Sequence, residues 1–160
     1  MESNLTAYYK TPIGTAKIVG NEYGISSITV LDKEIETTTE VPVPLKKCVL
    51  QLDEYFNGKR TKFDLKLNPQ GTDFQKKVWN ELLNIPYGKT RTYLEQTKKI
   101  GDIKAIRAVA SANGKNPIWI IIPCHRVIGY DGSLTGYAGG IWRKKWLLEH
   151  ENPVKQQTLF

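Results

Sequence analysis

The chain has 160 residues, 40% of them apolar and 24% charged, with four Trp and eight Tyr, a composition that excludes disorder as the default and allows one domain of ordinary size with a small companion. Twenty-three Lys and Arg against sixteen Asp and Glu give a net charge of +7, which favours polyanions as partners. Two cysteines are too few for a disulfide framework, no apolar run approaches the roughly 20 residues of a membrane span, and the start lacks a basic, then apolar, leader. The expectation is a cytoplasmic protein with free thiols and no membrane partner.

The first stretch reads as β-rich. "AYYKTPIG", "TAKIVGNEYG" and "ISSITVLD" are β-branched and aromatic runs divided by turn residues, which predicts a small antiparallel sheet. "PLKKCVLQLDEYFNGK" then places Leu45, Cys48, Val49, Leu52, Tyr55 and Phe56 at helical spacing and stops at Asn57-Gly58. Cys48, inside that apolar stripe, reads as a small buried hydrophobe. "TKFDLKL" is strand-like, and "NPQGTD" marks a boundary between a β-rich unit with one helix at 1–70 and a second unit at 71–160.

The second unit reads as mainly helical. Thr72 to Gln75 forms a capping box, followed by Phe74, Val78 and Leu82 at i, i+4, i+8. "RTYLEQTKKIG" and "DIKAIRAVASANG" predict two helices divided by Gly101, with Asp102 as N-cap, in the outline of a helix-turn-helix. At about 100° per residue, Ile103, Ile106, Val109 and Ala110 fall on one side of the second helix. Lys104, Arg107, Ala108 and Ser111 fall on the other, an outward face that is basic and otherwise small. Such a face can approach a phosphate backbone closely while its one long side chain projects into a groove.

The apolar run Ile118 to Ile122 predicts a buried segment, yet "PCHR" comes directly after it. A cysteine reacts as its thiolate, so something must stabilise the anion. His125 and Arg126 are adjacent in sequence, and Glu151, at the end of the predicted helix "IWRKKWLLEHE", can orient the imidazole as the third member of a relay. Only His125 and His150 accompany the two cysteines, which cannot supply the spacing of a structural zinc site. The glycine-dense "GYDGSLTGYAGG" lets backbone pack closely around something flat or buried.

"PCHRVIG", preceded by "SANGKNPI" and followed by "GYAGG" and "RKKWLLEHE", resembles the signature of the O6-alkylguanine-DNA alkyltransferases. The resemblance runs from about Gly71 to Glu151. It implies an α+β fold: a small N-terminal α/β, RNase H-like domain, and a mainly helical C-terminal domain with the helix-turn-helix and the reactive cysteine. It implies that Cys124 accepts the alkyl group irreversibly, that His125 acts on it through a bridging water, and that Glu151 holds the histidine. Asn116 would brace the turn before the reactive segment. Tyr93 would rotate the nucleotide outward and protonate the leaving guanine. Arg107 would fill the vacated place in the duplex, with Lys104, Ala108, Ser111 and Arg126 on the DNA face, and Tyr137, Ala138, Gly139 and Gly140 would wall the base pocket. The implied partner is double-stranded DNA carrying O6-alkylguanine, met through the minor groove by a monomer.

Trp119 stands where the family pattern has proline or a smaller residue; it is either core or pocket wall, and as pocket wall it would favour methyl over benzyl adducts. The resemblance implies no cofactor, and no metal, because the zinc-bearing members use N-terminal Cys and His residues that are missing here. Two rivals arise from the same fold: a non-catalytic protein that binds the alkyl lesion and recruits other repair factors, in which the cysteine is replaced, and a transcriptional regulator using the helix pair. Cys124 argues against the first, and the lack of an added regulatory domain against the second.

Overall fold

The computed structural model describes residues 3–153 and divides into two compact units. The first comprises the chain up to Gln70 together with Pro117–Trp119. Its sheet is a meander in the order β1 (Leu5–Thr11), β2 (Gly14–Asn21) and β3 (Gly24–Leu31), all antiparallel. Each hairpin leaves only two residues outside the strands and resumes at a glycine with positive φ, Gly14 at 128° and Gly24 at 134°, a conformation that costs a residue with a Cβ. Alternate residues Ala16, Ile18, Ile28 and Val30 are buried, and α1 (Val43–Phe56) belongs to the same unit, burying Leu45, Cys48, Leu52, Tyr55 and Phe56. Burial pushes the Cys48 thiol up to about 12, which leaves it inert.

The strand expected at "TKFDLKL" does not form. Its backbone makes a single bridge, Ile25 to Leu67, and the rest of the segment satisfies its polar groups elsewhere. The buried Gln51 amide donates to the Asp64 carbonyl at 3.1 Å and accepts from the Asp64 N–H at 2.8 Å, so a side chain replaces the ladder. The apolar run is buried as expected but is not one element. Ile118 bridges to Ile28 in the first unit, whereas Ile120, Ile121 and Ile122 belong to the second. Ile120 sits at φ 74°, a strained conformation for a β-branched residue.

The second unit contains α2 (Asp73–Leu82), β4 (Arg91–Thr92), α3 (Tyr93–Ile100), α4 (Ile106–Gly114), β5 (Val127–Ile128) and α5 (Ile141–Glu151). Both α2 and α3 open on full capping boxes, Thr72 with Gln75 and Thr92 with Glu95, each satisfying two otherwise orphaned donors. The short parallel pair β4–β5 brings the start of α3 beside the segment just after Cys124. Gly101, at φ 125°, ends α3, and Asp102 caps the next turn by accepting from the Lys104 N–H at 2.9 Å.

The predicted inward face of the second helix needs correction. Residues 103–105 form a 3₁₀ turn, which advances faster around the axis than an α-helix, so the assumed 100° phase does not carry through. Ile103 is 56% and Ile106 37% exposed, and Ala110 is exposed too, while Val109, Ala112 and Asn113 are buried. The Trp79 indole N–H donates to the Ala112 carbonyl at 2.8 Å and ties α2 to α4. Among the described residues, no helix is long and apolar enough to cross a membrane. Replacing Trp79 with Phe removes that bond and leaves the carbonyl only the Lys115 N–H at 3.1 Å. The expected cost is about 0.5–1.5 kcal/mol of stability, measured as a lower urea midpoint at unchanged m.

Candidate active site

Cys124 opens a 3₁₀ turn, Cys124–Arg126, directly after Pro123, and its own N–H is held by the Ile122 carbonyl at 2.8 Å. The Asn116 amide reaches across from the end of α4, donating to the Ile122 carbonyl at 2.8 Å and to Cys124 Sγ at 3.2 Å. One side chain therefore both shapes the turn and touches the sulfur. His125 is fully buried, and its Nε2 lies 2.8 Å from Glu151 Oε2. A carboxylate can only accept, so Nε2 carries the proton and Nδ1 keeps its lone pair. Among the described residues Nδ1 has no hydrogen-bond partner.

Arg126, expected on the DNA face, is corrected by the structure to an interior position. It is 6% exposed, its Nε and Nη2 donate to the two Glu151 oxygens at 2.8 and 3.0 Å, and its Nη1 donates to the Ile85 carbonyl at 2.7 Å. A guanidinium fork of this kind fixes the carboxylate in plane, and both groups are out of solvent. Burial alone raises the Glu151 carboxyl, but His125 and Arg126 outweigh it and hold it well below the usual range. Burial lowers the His125 pKa against the pull of Glu151, so the imidazole is neutral and the negative charge is balanced by Arg126.

Tyr93, Arg107, Ile106, Ala110 and Gly114 face a cleft of about 590 Å³ whose other wall is Thr135–Ala138. The Tyr93 hydroxyl donates to the Thr135 carbonyl at 3.0 Å, and burial raises its pKa, so it stays protonated. A Cβ on Gly136 would come within 3.3 Å of that hydroxyl, which explains a glycine there. Lys104, Arg107, Ala108 and Ser111 are exposed on one side of the helix pair. Tyr137 is buried and Ala138 exposed. Gly139 accepts from the Arg143 guanidinium at 3.0 Å, and Gly140, at φ 93°, starts α5. Trp119, expected at the pocket, belongs to the first unit, where its N–H bonds to the Ile28 carbonyl at 3.0 Å, and it is not among the residues lining the cleft.

Sequence reasoning missed Lys144. It is fully buried and donates to the same Thr135 carbonyl at 2.7 Å. The available signal was its register seven residues before Glu151, on the same face of α5.

The net charge is confined to this unit: residues 71–160 carry fourteen basic against seven acidic side chains, whereas 1–70 carry nine of each. A neutral histidine held by an ion-paired carboxylate beside a buried thiol, in a basic unit with a helix-turn-helix, defines a nucleic-acid-binding enzyme that reacts through cysteine. Known proteins narrow the class. Residues 73–153 match the DNA-binding domain of 6-O-methylguanine DNA methyltransferase, and residues 4–69 its ribonuclease-like domain. The chain is 51% identical over 147 residues to a methylated-DNA–protein-cysteine methyltransferase of Methanosarcina barkeri, across 89% of this chain and 93% of that one. It is 48% identical to the protein of that name from Mycobacterium tuberculosis, across 90% and 92%. The crystal structure of the Mycobacterium tuberculosis O6-methylguanine methyltransferase aligns with a TM-score of 0.83 at 42% identity, covering 99% of this chain and 100% of that one. A structure of the Mycobacterium tuberculosis protein in complex with DNA aligns at 0.82 and 45%, covering 96% and 98%. The chain belongs to the methylated-DNA–protein-cysteine methyltransferase family.

Glu151→Gln breaks a buried pair and leaves the Arg126 charge unbalanced, with an expected loss of about 3–5 kcal/mol in chemical denaturation. The folded Glu151 carboxyl ionises below its unfolded value of 4.5. Its contribution is therefore fully present above that pH and is lost as the pH falls below it, so the variant should show a flatter stability profile below pH 4.5 than the wild type.

Proposed function

We propose that this chain repairs DNA by direct reversal, moving the alkyl group of O6-alkylguanine onto Cys124 Sγ in one irreversible turnover. The observation that carries the reading is Cys124 Sγ bonded by the Asn116 amide and followed in the chain by a neutral His125 whose Nδ1 has no partner among the described residues. The lesion lies inside the base stack, so the nucleotide must be extruded at a cost of a few kcal/mol. Phosphate contacts by the basic unit and insertion of Arg107 into the vacated place offset that cost. Lys104, Ala108 and Ser111 form the surface laid along the minor groove, where small side chains permit close approach and readout is degenerate, as suits a protein indifferent to sequence.

With the base in the cleft beside Tyr93 and the Tyr137–Gly140 segment, His125 takes the Sγ proton through a bridging water. The thiolate attacks the alkyl carbon, the S–C bond forms as the C–O6 bond breaks, and the electron pair passes to guanine. Tyr93 supplies the proton that leaves guanine neutral and is reprotonated from solvent. The product thioether has no bond that water readily cleaves, so the cysteine is not regenerated. No cofactor enters this scheme. The protein acts as a monomer in the cytoplasm, as a methylated-DNA–[protein]-cysteine S-methyltransferase.

Intact-protein mass after incubation with an oligonucleotide containing O6-methylguanine tests this, with Cys124→Ala beside it. The expected result is a gain of one methyl on the wild type alone, stopping at one per molecule. Tight lesion binding without mass gain would identify a damage-recognition protein instead. Arg107→Ala should lower the transfer rate from duplex DNA by roughly ten- to a hundredfold, the equivalent of about 1.4–2.7 kcal/mol of lost support for the extruded state, and should affect free O6-methylguanine far less.

A further inference from the structure

Thr135 offers one backbone carbonyl to two donors. The Tyr93 hydroxyl reaches it from α3 at 3.0 Å, and the Lys144 ammonium reaches it from α5 at 2.7 Å. The same ammonium lies 5.7 Å from the centre of the Tyr93 ring. Tyr93 and Thr135 both line the cleft, whereas Lys144, at 0% exposure, is not among the lining residues. Among the described residues it has no carboxylate within ion-pair distance. A buried ammonium without a counter-ion is costly, and such a group persists where its charge is used. Its contacts are the shared carbonyl and the Tyr93 ring, so that is where the charge acts.

Proton donation to the leaving guanine asks two things of Tyr93. The hydroxyl must turn from the Thr135 carbonyl to the base, and the phenolate left behind must be tolerated where little water reaches it. A carbonyl oxygen accepts two hydrogen bonds, so Lys144 keeps it satisfied when the hydroxyl turns away. We infer that Lys144 is a positioning residue for Tyr93: it holds the carbonyl that the hydroxyl gives up and sets a cation beside the phenolate that remains. This rests on the reading of Tyr93 as the proton donor. The charges balance within the site. The proton passes from the Tyr93 oxygen to guanine, and phenolate and ammonium stand as a neutral pair until solvent returns a proton. Burial raises the Tyr93 phenol above its ordinary value, which opposes proton release, and lowers Lys144 to about 8, which leaves it charged at pH 7. The other end of the wall has its own tie to α5, because Arg143 donates to the Gly139 carbonyl at 3.0 Å.

Two electrophiles presented to the same sulfur test this. Methyl transfer from an oligonucleotide containing O6-methylguanine, taken at saturating DNA, needs a proton on the leaving group, whereas iodoacetamide releases iodide, which needs none. Both rates at Cys124 are followed by peptide mass spectrometry, and their ratio cancels any effect on the thiol itself. Lys144→Met puts an apolar chain of similar length in place of a buried charge. The ratio is expected to fall roughly tenfold in that variant, to fall less in Lys144→Gln, which keeps a neutral donor, and to recover in Lys144→Arg. Added to Tyr93→Phe, the Lys144→Met change should lower the ratio no further, because the acid is already gone.

An unchanged ratio in folded Lys144→Met overturns the inference. So does an equal fall with and without the Tyr93 hydroxyl, which is what a merely structural role produces. Should Lys144→Met not fold, Lys144→Gln decides through the same cycle. A wild-type ratio in Tyr93→Phe alone would sink the reading of Tyr93 as proton donor, and this inference with it. A slow Tyr93→Phe beside an unaffected Lys144→Met would leave that reading standing and sink the inference alone.

Discussion

A single carboxylate at the C-terminal end of α5 holds the reactive turn together. Glu151 accepts from His125 on one oxygen and from the Arg126 fork on both, and all three side chains are out of solvent. An ion pair in such a place gains little stability over an apolar packing of the same volume. Its use is geometric. The fork leaves the carboxylate one orientation, the carboxylate leaves the imidazole one tautomer, and the tautomer leaves Nδ1 as a base. Arg126 also reaches the Ile85 carbonyl, so the loop after α2 is part of the same brace.

That brace solves one problem and creates another. Excluding water makes the imidazole neutral and strengthens every dipole near the sulfur, but it also disfavours the thiolate itself. The Asn116 amide, just beyond the end of α4, opposes this with a hydrogen bond to the sulfur. The carbonyl of Thr135 accepts from both Lys144 and Tyr93, so a residue of α5 and one of α3 share one support.

The exposed side of the helix pair is built differently. There the side chains are short or exposed, and net charge is confined to the unit that carries them. Ile106, beside Arg107 on α4, lines the cleft as well, so apolar residues that a helical wheel assigns to the core are instead exposed at its wall. The 3₁₀ turn at 103–105 produces this rotation, and Asp102 holds that turn in place.

Local patterns were enough for the elements and pointed to residues that the fold brings together around His125 and Glu151. The meander strands, α1, the capping box of α2, the helix pair and the Cys124, His125, Glu151 set are each encoded by residues within a few positions of one another or by a compact signature. Wherever satisfaction of a group depends on a distant partner, the sequence was silent or misleading. The Gln51 side chain takes the backbone groups that would have made "TKFDLKL" a strand. Glu151 claims Arg126 for the interior, and the path through Ile118 and Ile120 assigns Trp119 to the first unit. Lys144 became legible only once α5 had a face turned inward. Periodicity and short motifs report what a segment can do alone, whereas burial of charge is decided by which partners the fold brings within hydrogen-bonding reach.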